Sequence, residues 1–339
     1  MANQRDVARL AGVSSATVSR YLNNPGLVSE KIAVAIRSSI KTLDYHVDLS
    51  AQTLKTGKSR QIGVLMPGIG SYHWAIYLGL QEVFDIEGYS CAMFYPQNLH
   101  AREHLQQKTI LPIMRGKQID GAIFMPQSTY ADDQTLEQLQ DWGRPFVVLD
   151  RPVPNQRIPQ VYVNNYEAGR RAAREFLDHG HREFIFIWGL QDFSSAKERF
   201  NGFRDELRGA NIDLPFNRQL EGDFVSSICY RNTSEAWDRL PPFTAVFGSN
   251  DSSAYGFLKA AREHGVDCPR DFSMIGFDAD ADLSLLLDPP LASFSQPGAE
   301  LGTIGARLLL DLISGKEAPQ TNITLEAQFV QRGSLVARL

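Results

Sequence analysis

The sequence lacks the features of membrane-spanning proteins and of exported, disulfide-rich proteins. Its 339 residues contain no apolar run of about 18 residues, the length that a transmembrane helix requires. No apolar segment follows the polar start of the chain, so we expect no secretory signal. The cysteines are few, far apart and odd in number, which argues against a disulfide framework and a zinc motif: Cys91, Cys229 and Cys268. We therefore expect a cytoplasmic protein with reduced thiols and no membrane partner.

The common catalytic and metal-binding motifs are also missing. The chain has neither a Gly-x-Ser-x-Gly elbow nor a His-Glu-x-x-His zinc motif. The phosphate-loop pattern that would end in Gly57-Lys58-Ser59 is incomplete, because Gln52 stands where its first glycine belongs. A dinucleotide-type glycine pattern breaks at His73, and a calcium-loop pattern starting at Asp278 has Leu283 where glycine is needed. We therefore expect no enzyme, no cofactor and no metal site.

Positive charge is scarce over most of the chain but not at its start. The formal net charge is −5. Residues 1–60 nevertheless hold nine lysines and arginines against four acids, whereas the other 279 residues hold 25 basic and 35 acidic side chains. A basic head on an acidic body is typical of one nucleic-acid-binding module fused to a second domain. On this observation alone, a chance fluctuation of charge is the alternative.

The first 45 residues predict short helices and no strand. Asn3 is a candidate N-cap for the first helix, and Gly12 is a candidate stop. Ser14 or Ser15 can cap a second helix, which ends in a strong turn signal. A third helix opens at Ser29, with apolar residues at helical spacing behind it.

From residue 61 the pattern changes to short apolar strands that alternate with amphipathic helices, for example 75–87 and 167–179. The candidate strands are 62–66, 91–95, 122–125, 146–149, 161–163, 184–188, 245–247, 274–277 and 292–294. This alternation predicts parallel sheets joined by right-handed crossovers. Because nine strands exceed one tidy doubly wound sheet, we expect two sheets side by side.

The segment 6–24 has the pattern of a helix-turn-helix. Ala8 is small where the second helix crosses the first, Gly12 tolerates the positive φ of the turn, and the branched Val18 locks the pair together. Small hydroxyl side chains on the second helix can bond phosphate oxygens without filling the groove. Arg20 faces outward one turn later and is the candidate for a bidentate contact with guanine. A plain helical hairpin with capping serines is the alternative.

Three stretches carry a family resemblance: DVA-x-x-AGVS-x-ATVSR-x-LN at 6–23, Leu43-Asp44-Tyr45, and S-A-x-x-L-K-T-G at 50–57. Together they resemble the headpiece of the LacI/GalR family of bacterial transcription regulators. The resemblance implies a DNA-binding headpiece at 1–46 and a hinge at 47–60. The base-reading positions that it implies are Ser15, Ala16 and Arg20. The phosphate-contacting positions that it implies are Ser14, Thr17, Ser19, Asn23 and Tyr45.

The hinge of this family inserts a leucine into the minor groove and kinks the duplex, and Leu54 matches that residue. Unstacking a base step costs about a few kcal/mol, which the extra contacts of a bent site can offset. An ordinary linker leucine is the alternative. The family's usual Pro-Asn before the hinge is Val47-Asp48 here. Asp48 can still cap a helix, but the linker is less restrained, so we expect its folding to depend more strongly on DNA.

The resemblance continues over nearly the whole chain, through pieces such as Glu198-Arg199-Phe200 and Asn250-Asp251. It implies an α/β core at 61–339 that is similar to periplasmic sugar-binding proteins, with an effector cleft between two doubly wound parallel-sheet subdomains. The expected N-subdomain covers about 61–160 and 292–320. The expected C-subdomain covers about 161–291 and 321–339. The expected fold class is α/β with an all-α helix-turn-helix headpiece.

The expected cleft can be argued from its chemistry. A polyol needs polar partners for several hydroxyls and an aromatic face for its C–H surface. Ligands of open α/β sheets bind at the carboxyl ends of the strands. The residues that fall there are Asp150, Asn250, Asp251 and Asp278. The resemblance adds Arg199, His73, Trp74 and Phe224, and it leaves Trp188 and Phe193 as weaker candidates.

Structural roles are the alternatives at these positions. Asp251 and Asp278 can be helix N-caps, Arg199 can pair with an acid, and Trp74 can belong to the core. For the whole chain, an enzyme and an exported sugar-binding protein are the rival hypotheses. An enzyme would turn over a substrate without residues 1–60. An exported binding protein would carry a signal segment and no basic head.

The favoured hypothesis is a sequence-specific, DNA-binding transcription regulator, expected to be a repressor. The resemblance implies a homodimer on pseudo-palindromic, double-stranded operator DNA whose affinity is controlled by a small-molecule effector. The effector is expected to be a sugar or a derivative; free sugar, sugar phosphate, sugar acid and nucleoside all remain open. The sequence does not decide between induction and co-repression.

Overall fold

The chain divides between Ser59 and Arg60 into two units. We call Met1–Ser59 the headpiece and Arg60–Leu339 the effector core. The computed structural model describes residues 2–45, 58–68, 70–94, 112, 119–126, 131–155, 157–280, 288–316 and 321–338. No helix within these ranges has the length and apolar character needed to cross a bilayer.

Helices and strands alternate through the effector core, and the headpiece is helical. The helices are α1 (Gln4–Ala11), α2 (Ser15–Asn23), α3 (Glu30–Thr42), α4 (Ser71–Ile86), α5 (Ala131–Asp141), α6 (Asn165–Asp178), α7 (Ser194–Gly209), α8 (Ser226–Ala236), α9 (Asp251–Glu263) and α10 (Gly298–Ile313). The strands are β1 (Gln61–Leu65), β2 (Ser90–Phe94), β3 (Gly121–Phe124), β4 (Phe146–Asp150), β5 (Gln160–Val163), β6 (Phe184–Trp188), β7 (Gln219–Glu221), β8 (Ala245–Gly248), β9 (Ser273–Asp278), β10 (Ala292–Ser295), β11 (Asn322–Leu325) and β12 (Gln328–Val330).

Local capping fixes the first two helices of the headpiece. The Asn3 side chain accepts from the backbone at the start of α1, and Asp6 bonds back to the Asn3 backbone. Gly12 ends α1 in the left-handed region at φ 67°. Ser14 caps α2 by accepting from the Thr17 N–H. The fully buried headpiece residues pack the three helices together: Val7, Ala8, Val18 and Ile36.

The effector core contains two six-stranded sheets. The first has the order β11-β5-β4-β3-β1-β2, and all of its pairs are parallel. The second has the order β12-β10-β9-β8-β6-β7, with β10 and β12 antiparallel. The central strands β3, β4 and β8 are buried along their whole length, as expected where helices cover both faces of a parallel sheet. The predicted α/β fold with a helical headpiece and two parallel-dominated sheets is confirmed.

All nine predicted strands are present, and their ends differ from the prediction by no more than one residue. Three further strands, β7, β11 and β12, were not predicted. Each is three or four residues long and mostly half-buried, and each lies at the edge of its sheet. Edge strands lack the continuous apolar run that identifies a buried parallel strand.

The chain passes three times from one sheet to the other: after β5, after β10, and between β11 and β12. These crossings differ from the predicted subdomain ranges. Strands β5 and β11 belong to the first sheet, and β10 belongs to the second. The reason is that a strand joins the sheet whose neighbour it can hydrogen-bond, and its own sequence does not name that neighbour.

Glycines bring α6 and α7 into close contact. A Cβ on Gly169 would lie 2.2 Å from the Arg199 carbonyl oxygen, and a Cβ on Gly202 would lie 2.0 Å from the Tyr166 carbonyl oxygen. Real Cβ atoms do not approach oxygen so closely, so any larger residue would separate the two helices. This packing fixes α7, and with it the position of Arg199.

Candidate functional site

A cavity of about 410 Å³ lies where strands of both sheets end. Its wall comes from residues at or after the ends of β1, β4, β6, β7, β8, β9 and β10 and from the first two turns of α4, α7 and α9. Seven of the eight predicted effector-binding residues line it: His73, Asp150, Arg199, Phe224, Asn250, Asp251 and Asp278. The size is within the range of small-molecule sites, which is about 300–1,000 Å³.

Asp150 anchors one side of the cavity. It ends β4 with a φ of 77°, and the Tyr72 hydroxyl donates to its Oδ1 at 2.8 Å. Burial and the nearby Asp150 carboxylate raise the pKa of Tyr72 well above its ordinary value. Arg151 Nε lies 3.5 Å from the Asp150 carboxylate, and His73 Nε2 lies 4.0 Å from it. These contacts hold the carboxylate in one orientation toward the cavity.

Arg199 lies on α7 and is buried. Its Nε donates to the Asn165 Oδ1 at 2.8 Å, and its Nη1 donates to the Ser249 carbonyl at 2.6 Å. Its guanidinium stacks over the Phe277 ring at 3.6 Å. Burial lowers the pKa of Arg199, while the Asp278 carboxylate opposes this shift. The bonds give Arg199 a structural role in the second sheet in addition to its place in the cavity wall.

Asp251 and Asp278 form the acidic side of the cavity together with Asp280. The Ser293 hydroxyl donates to Asp251 Oδ1 at 2.6 Å, and the Asp280 N–H donates to Oδ2 at 2.8 Å. Gln296 Nε2 donates to Asp278 Oδ1 at 2.7 Å.

Burial raises the pKa of both carboxyls. Burial, together with repulsion by the Asp278 carboxylate, raises the pKa of Asp251 to about 8. Against the opposing effect of Arg199, it raises the pKa of Asp278 to about 6. The N-cap of α9 is Asn250, which accepts from the Ser253 N–H. The alternative that Asp251 is this N-cap is therefore wrong.

Phe224 forms an aromatic wall of the cavity. It has a φ of 62° and follows Asp223, whose φ is 51°. A Cβ on Gly189 would lie 2.1 Å from the Phe224 ring, so only glycine leaves room for this ring. The Phe193 ring lies 6.0 Å from the Phe224 ring, and the Arg151 guanidinium stacks over Phe193 at 3.9 Å. The wall thus offers an apolar face beside the polar groups.

Trp74 is the predicted effector residue that does not line the cavity. It is 44% exposed, and its ring stacks on Tyr77 with centroids 5.1 Å apart. Each residue turns a helix by about 100°, so a side chain two positions after Tyr72 points away from the cavity. The exposure of Trp74 also shows that the alternative, a place in the core, is wrong.

The lining residues that were not predicted are Gly70, Ser71, Tyr72, Arg151, Ser195, Ser252, Asp280 and Gln296. Arg151 directly follows the end of β4, and Gln296 directly follows β10. The rule that identified Asp278 could therefore have found both. Phe193, a weaker candidate in the sequence, does line the cavity, whereas Trp188 instead bonds Gln219 and packs on Phe200.

The candidate DNA interface is the exposed side of α2. Ser14, Ser15, Ala16 and Arg20 are exposed, whereas Val18 on the opposite side is fully buried. Packing of Val18 against the headpiece core therefore fixes which residues α2 presents to a partner. Among the described residues of the headpiece, the exposed basic ones are Arg5, Arg9, Arg20, Lys31, Arg37, Lys41 and Lys58.

The predicted phosphate-contacting residues have different environments. The Ser14 and Thr17 hydroxyls lie 2.8 Å apart, so the pair keeps one hydroxyl proton for an external acceptor. Thr17 and Ser19 are half-buried, and Tyr45 packs against the headpiece core. The Asn23 side chain and all of Leu54 lie outside the described residues, as does the Val47-Asp48 departure.

Two family models match the chain. The model of bacterial regulatory proteins of the lacI family matches residues 4–48, and the periplasmic binding protein-like domain matches residues 173–335. The chain is 31% identical to the transcriptional repressor PurR of Mannheimia succiniciproducens over 339 residues, covering 99% of both proteins. It is 29% identical to the repressor CytR of Escherichia coli strain K12, covering 98% of this chain and 96% of that one.

Solved structures agree with these matches. The transcriptional regulator CelR in complex with cellobiose superimposes with a TM-score of 0.73 at 27% identity, covering 98% of this chain and 100% of that chain. The lac repressor dimer bound to operator and the anti-inducer ONPF has the same fold, with a TM-score of 0.83 at 24% identity and 99% coverage of each chain. The chain therefore belongs to the LacI family of transcriptional repressors, with a DNA-binding helix-turn-helix and an effector-binding domain, and it is not an enzyme.

Proposed function

We propose that the protein binds a pseudo-palindromic operator as a homodimer, and that a sugar or sugar derivative in the cavity controls this binding. The observation that carries the proposal is the convergence of seven predicted residues on one cavity, although they come from widely separated parts of the chain. CelR, whose solved structure is a complex with cellobiose, supports a carbohydrate as the effector class.

On DNA, α2 is the recognition helix of this proposal. Its exposed arginine, Arg20, can donate two hydrogen bonds to a guanine edge in the major groove. In this proposal the hydroxyls of Ser14 and Thr17, which lie 2.8 Å apart, bond phosphates and so position the helix without reading sequence. A two-fold dimer presents two such helices, so the operator has two related half-sites.

Effector control follows from the composition of the cavity wall. Asp150 comes from the first sheet, whereas Arg199, Asn250 and Asp278 come from elements of the second sheet. A ligand that bonds both sides favours one arrangement of the two sheets over others. DNA affinity then changes by the ratio of the effector affinities in the two arrangements.

The experiment is a selection of random duplexes by the full chain at two salt concentrations. We expect a pseudo-palindromic sequence to be enriched, and its affinity to fall steeply with salt because lysines and arginines release counterions from the phosphates. A thermal-shift screen of sugars then identifies the effector, since a ligand at 100 times its Kd adds about 2.7 kcal/mol of stability. Equal affinity for every duplex would contradict the proposal.

Two variants separate effector control from DNA binding. Asp278→Asn removes a carboxylate of the cavity wall and should abolish the effect of the sugar on DNA affinity while operator binding persists. Asp213→Asn is the matched control, because Asp213 is exposed and outside the cavity wall. An unchanged sugar response in Asp278→Asn would contradict the assignment of the cavity as the effector site.

A further inference from the structure

We propose that the cavity selects an uncharged, polyhydroxylated effector, such as an unphosphorylated sugar, and rejects sugar phosphates and sugar acids. This inference rests on the proposed function, in which a small molecule binds in this cavity. It adds the charge class of that molecule, which neither the fold nor the family decides.

The described cavity wall is richer in acids than in bases. It contains four carboxyl groups and two guanidinium groups: Asp150, Asp251, Asp278 and Asp280, with Arg151 and Arg199. With a pKa of about 8, Asp251 largely keeps its proton at pH 7.5, and three acids still face two bases. A phosphate or carboxylate ligand would therefore enter a wall whose net formal charge is negative, like its own. Like charges in a site with little water are strongly unfavourable, whereas a neutral ligand does not pay this cost.

Both guanidinium groups already have protein partners. Arg199 donates to Asn165 and to the Ser249 carbonyl. Arg151 donates to the Pro126 carbonyl, and its Nε lies 3.5 Å from the Asp150 carboxylate. Each guanidinium also stacks on an aromatic ring. A bidentate grip on a phosphate would compete with these contacts, which differs from the open arginine or lysine cluster typical of anion sites.

The carboxylates of the wall need a ligand that donates hydrogen bonds. An ionised carboxylate only accepts, and so does a phosphate dianion. A sugar hydroxyl can donate to Asp150 or Asp278 and can accept from a guanidinium in the same site. The chemistry of the wall therefore matches hydroxyl groups and leaves an anionic group without a donor role.

Three helices, α4, α7 and α9, begin at the cavity wall, and their positive ends are the feature that would favour an anion. Each end is equivalent to about half a positive charge. The α9 end is already capped, because the Asn250 side chain accepts from the Ser253 N–H. The first turns of α4 and α7 have no side-chain cap, so their N–H groups can donate to neutral hydroxyl oxygens.

The acids also repel one another. The Asp150 and Asp280 carboxylates contribute, after burial, to raising the pKa of Asp278 to about 6. An additional anion in the cavity would act in the same direction. The existing charges therefore disfavour a further negative group at this position.

The test compares each neutral sugar with its own charged forms. The full chain is titrated calorimetrically at pH 7.5 with glucose, ribose and cellobiose, and with glucose 6-phosphate, ribose 5-phosphate, cellobiose 6-phosphate and glucuronate. We expect at least one neutral sugar to bind. We expect its charged analogue to bind with an affinity that is lower by a factor of about 100 or more. A phosphate or acid that binds as tightly as its neutral parent would overturn this inference but leave the proposed function intact. No binding by any of the compounds would overturn both.

A charge variant tests the cause of the selectivity. Asp280→Asn removes one negative charge with little change of volume. It should reduce the ratio of the affinity for the neutral sugar to the affinity for its phosphate by about tenfold. The matched control, Asp213→Asn, removes an exposed acid outside the wall and should leave this ratio unchanged. An unchanged affinity ratio in Asp280→Asn, or an equal reduction of the ratio in both variants, would contradict the role of the carboxylates.

Discussion

The headpiece and the effector core place their functional residues in opposite ways. In the headpiece, the described candidate DNA contacts come from one short helix and the turn before it, between Ser14 and Arg20, together with Tyr45. In the effector core, the cavity draws on residues from Gly70 to Gln296. A site carried by one helix depends on local capping and on one buried face. A site at the ends of many strands depends on the whole sheet being assembled.

The two units also differ in the size of their cores. The headpiece has four buried apolar residues at its centre, whereas the effector core has large clusters on the faces of both sheets. Each buried core residue of the headpiece therefore contributes a larger share of the stability of its unit than a buried residue of the effector core does. We therefore expect that each unit can be damaged by mutation without loss of the function of the other.

Removing residues 1–59 should abolish DNA binding completely and leave ligand binding unchanged. The reason is that the exposed α2 surface lies wholly in the headpiece, and the cavity wall lies wholly in the effector core. Anisotropy with labelled duplex measures the first effect, and calorimetry with the effector sugar measures the second. Specific DNA binding by the 60–339 fragment would contradict the assignment of DNA binding to the headpiece.

Gly202→Ala should lower the free energy of unfolding by about 1–3 kcal/mol, because its Cβ has no room beside the Tyr166 carbonyl. Movement of α7 should also weaken ligand binding through Arg199. Gly209→Ala is the control at the end of the same helix, where a Cβ meets nothing within 4 Å. This variant should be neutral or stabilising by up to about 1 kcal/mol. Urea unfolding measures both, and equal losses would refute the close-contact explanation.

Arg20→Ala should cost about 1–3 kcal/mol of discrimination at one operator position and relax the base preference there. Lys31→Ala is the control, since Lys31 is exposed on α3 and was not predicted to read bases. That variant should at most weaken all sequences alike. Affinities for the selected operator and its single-base variants measure the effect. An unchanged preference at every position would exclude Arg20 as a base-reading residue.

The free energy of unfolding should fall as the pH rises from 6.5 to 8. Burial raises the pKa of Asp251 to about 8, so in this window the folded protein keeps a proton that the unfolded chain has released. The slope should reach about 1.4 kcal/mol per pH unit. Because Asp251 lies in the effector core, the 60–339 fragment should show the same slope. Asp251→Asn should make the slope shallower but not remove it, because burial also raises the pKa of Glu198 to about 7. A slope of the opposite sign would contradict the assignment.

Much of this molecule could be predicted from its sequence where the signal is local. The caps at Asn3 and Ser14, the stop at Gly12 and the buried Val18 are all within α1 and α2 or next to them. The nine predicted strands were equally accessible, because burial on both faces makes a parallel strand a continuous apolar run.

Several residues of the cavity wall could be predicted from the sequence for a related reason. Asp150 and Asp278 end strands, Asn250 and Asp251 follow one, and the ends of parallel strands meet at one edge. The sequence did not reveal that Tyr72 bonds Asp150 or that Gln296 bonds Asp278. These pairs are joined only when distant segments pack, and nothing in either segment names its partner.

The positions of most helices and strands, and the residues that end them, follow from the sequence alone, since propensity, capping and apolar periodicity act over a few residues. Only the tertiary structure decided that β5 and β11 join the first sheet while β10 joins the second. Only the tertiary structure decided that Trp74 turns away from the cavity. The physical reason is that strand pairing and the direction of a helix face depend on partners far away in the chain.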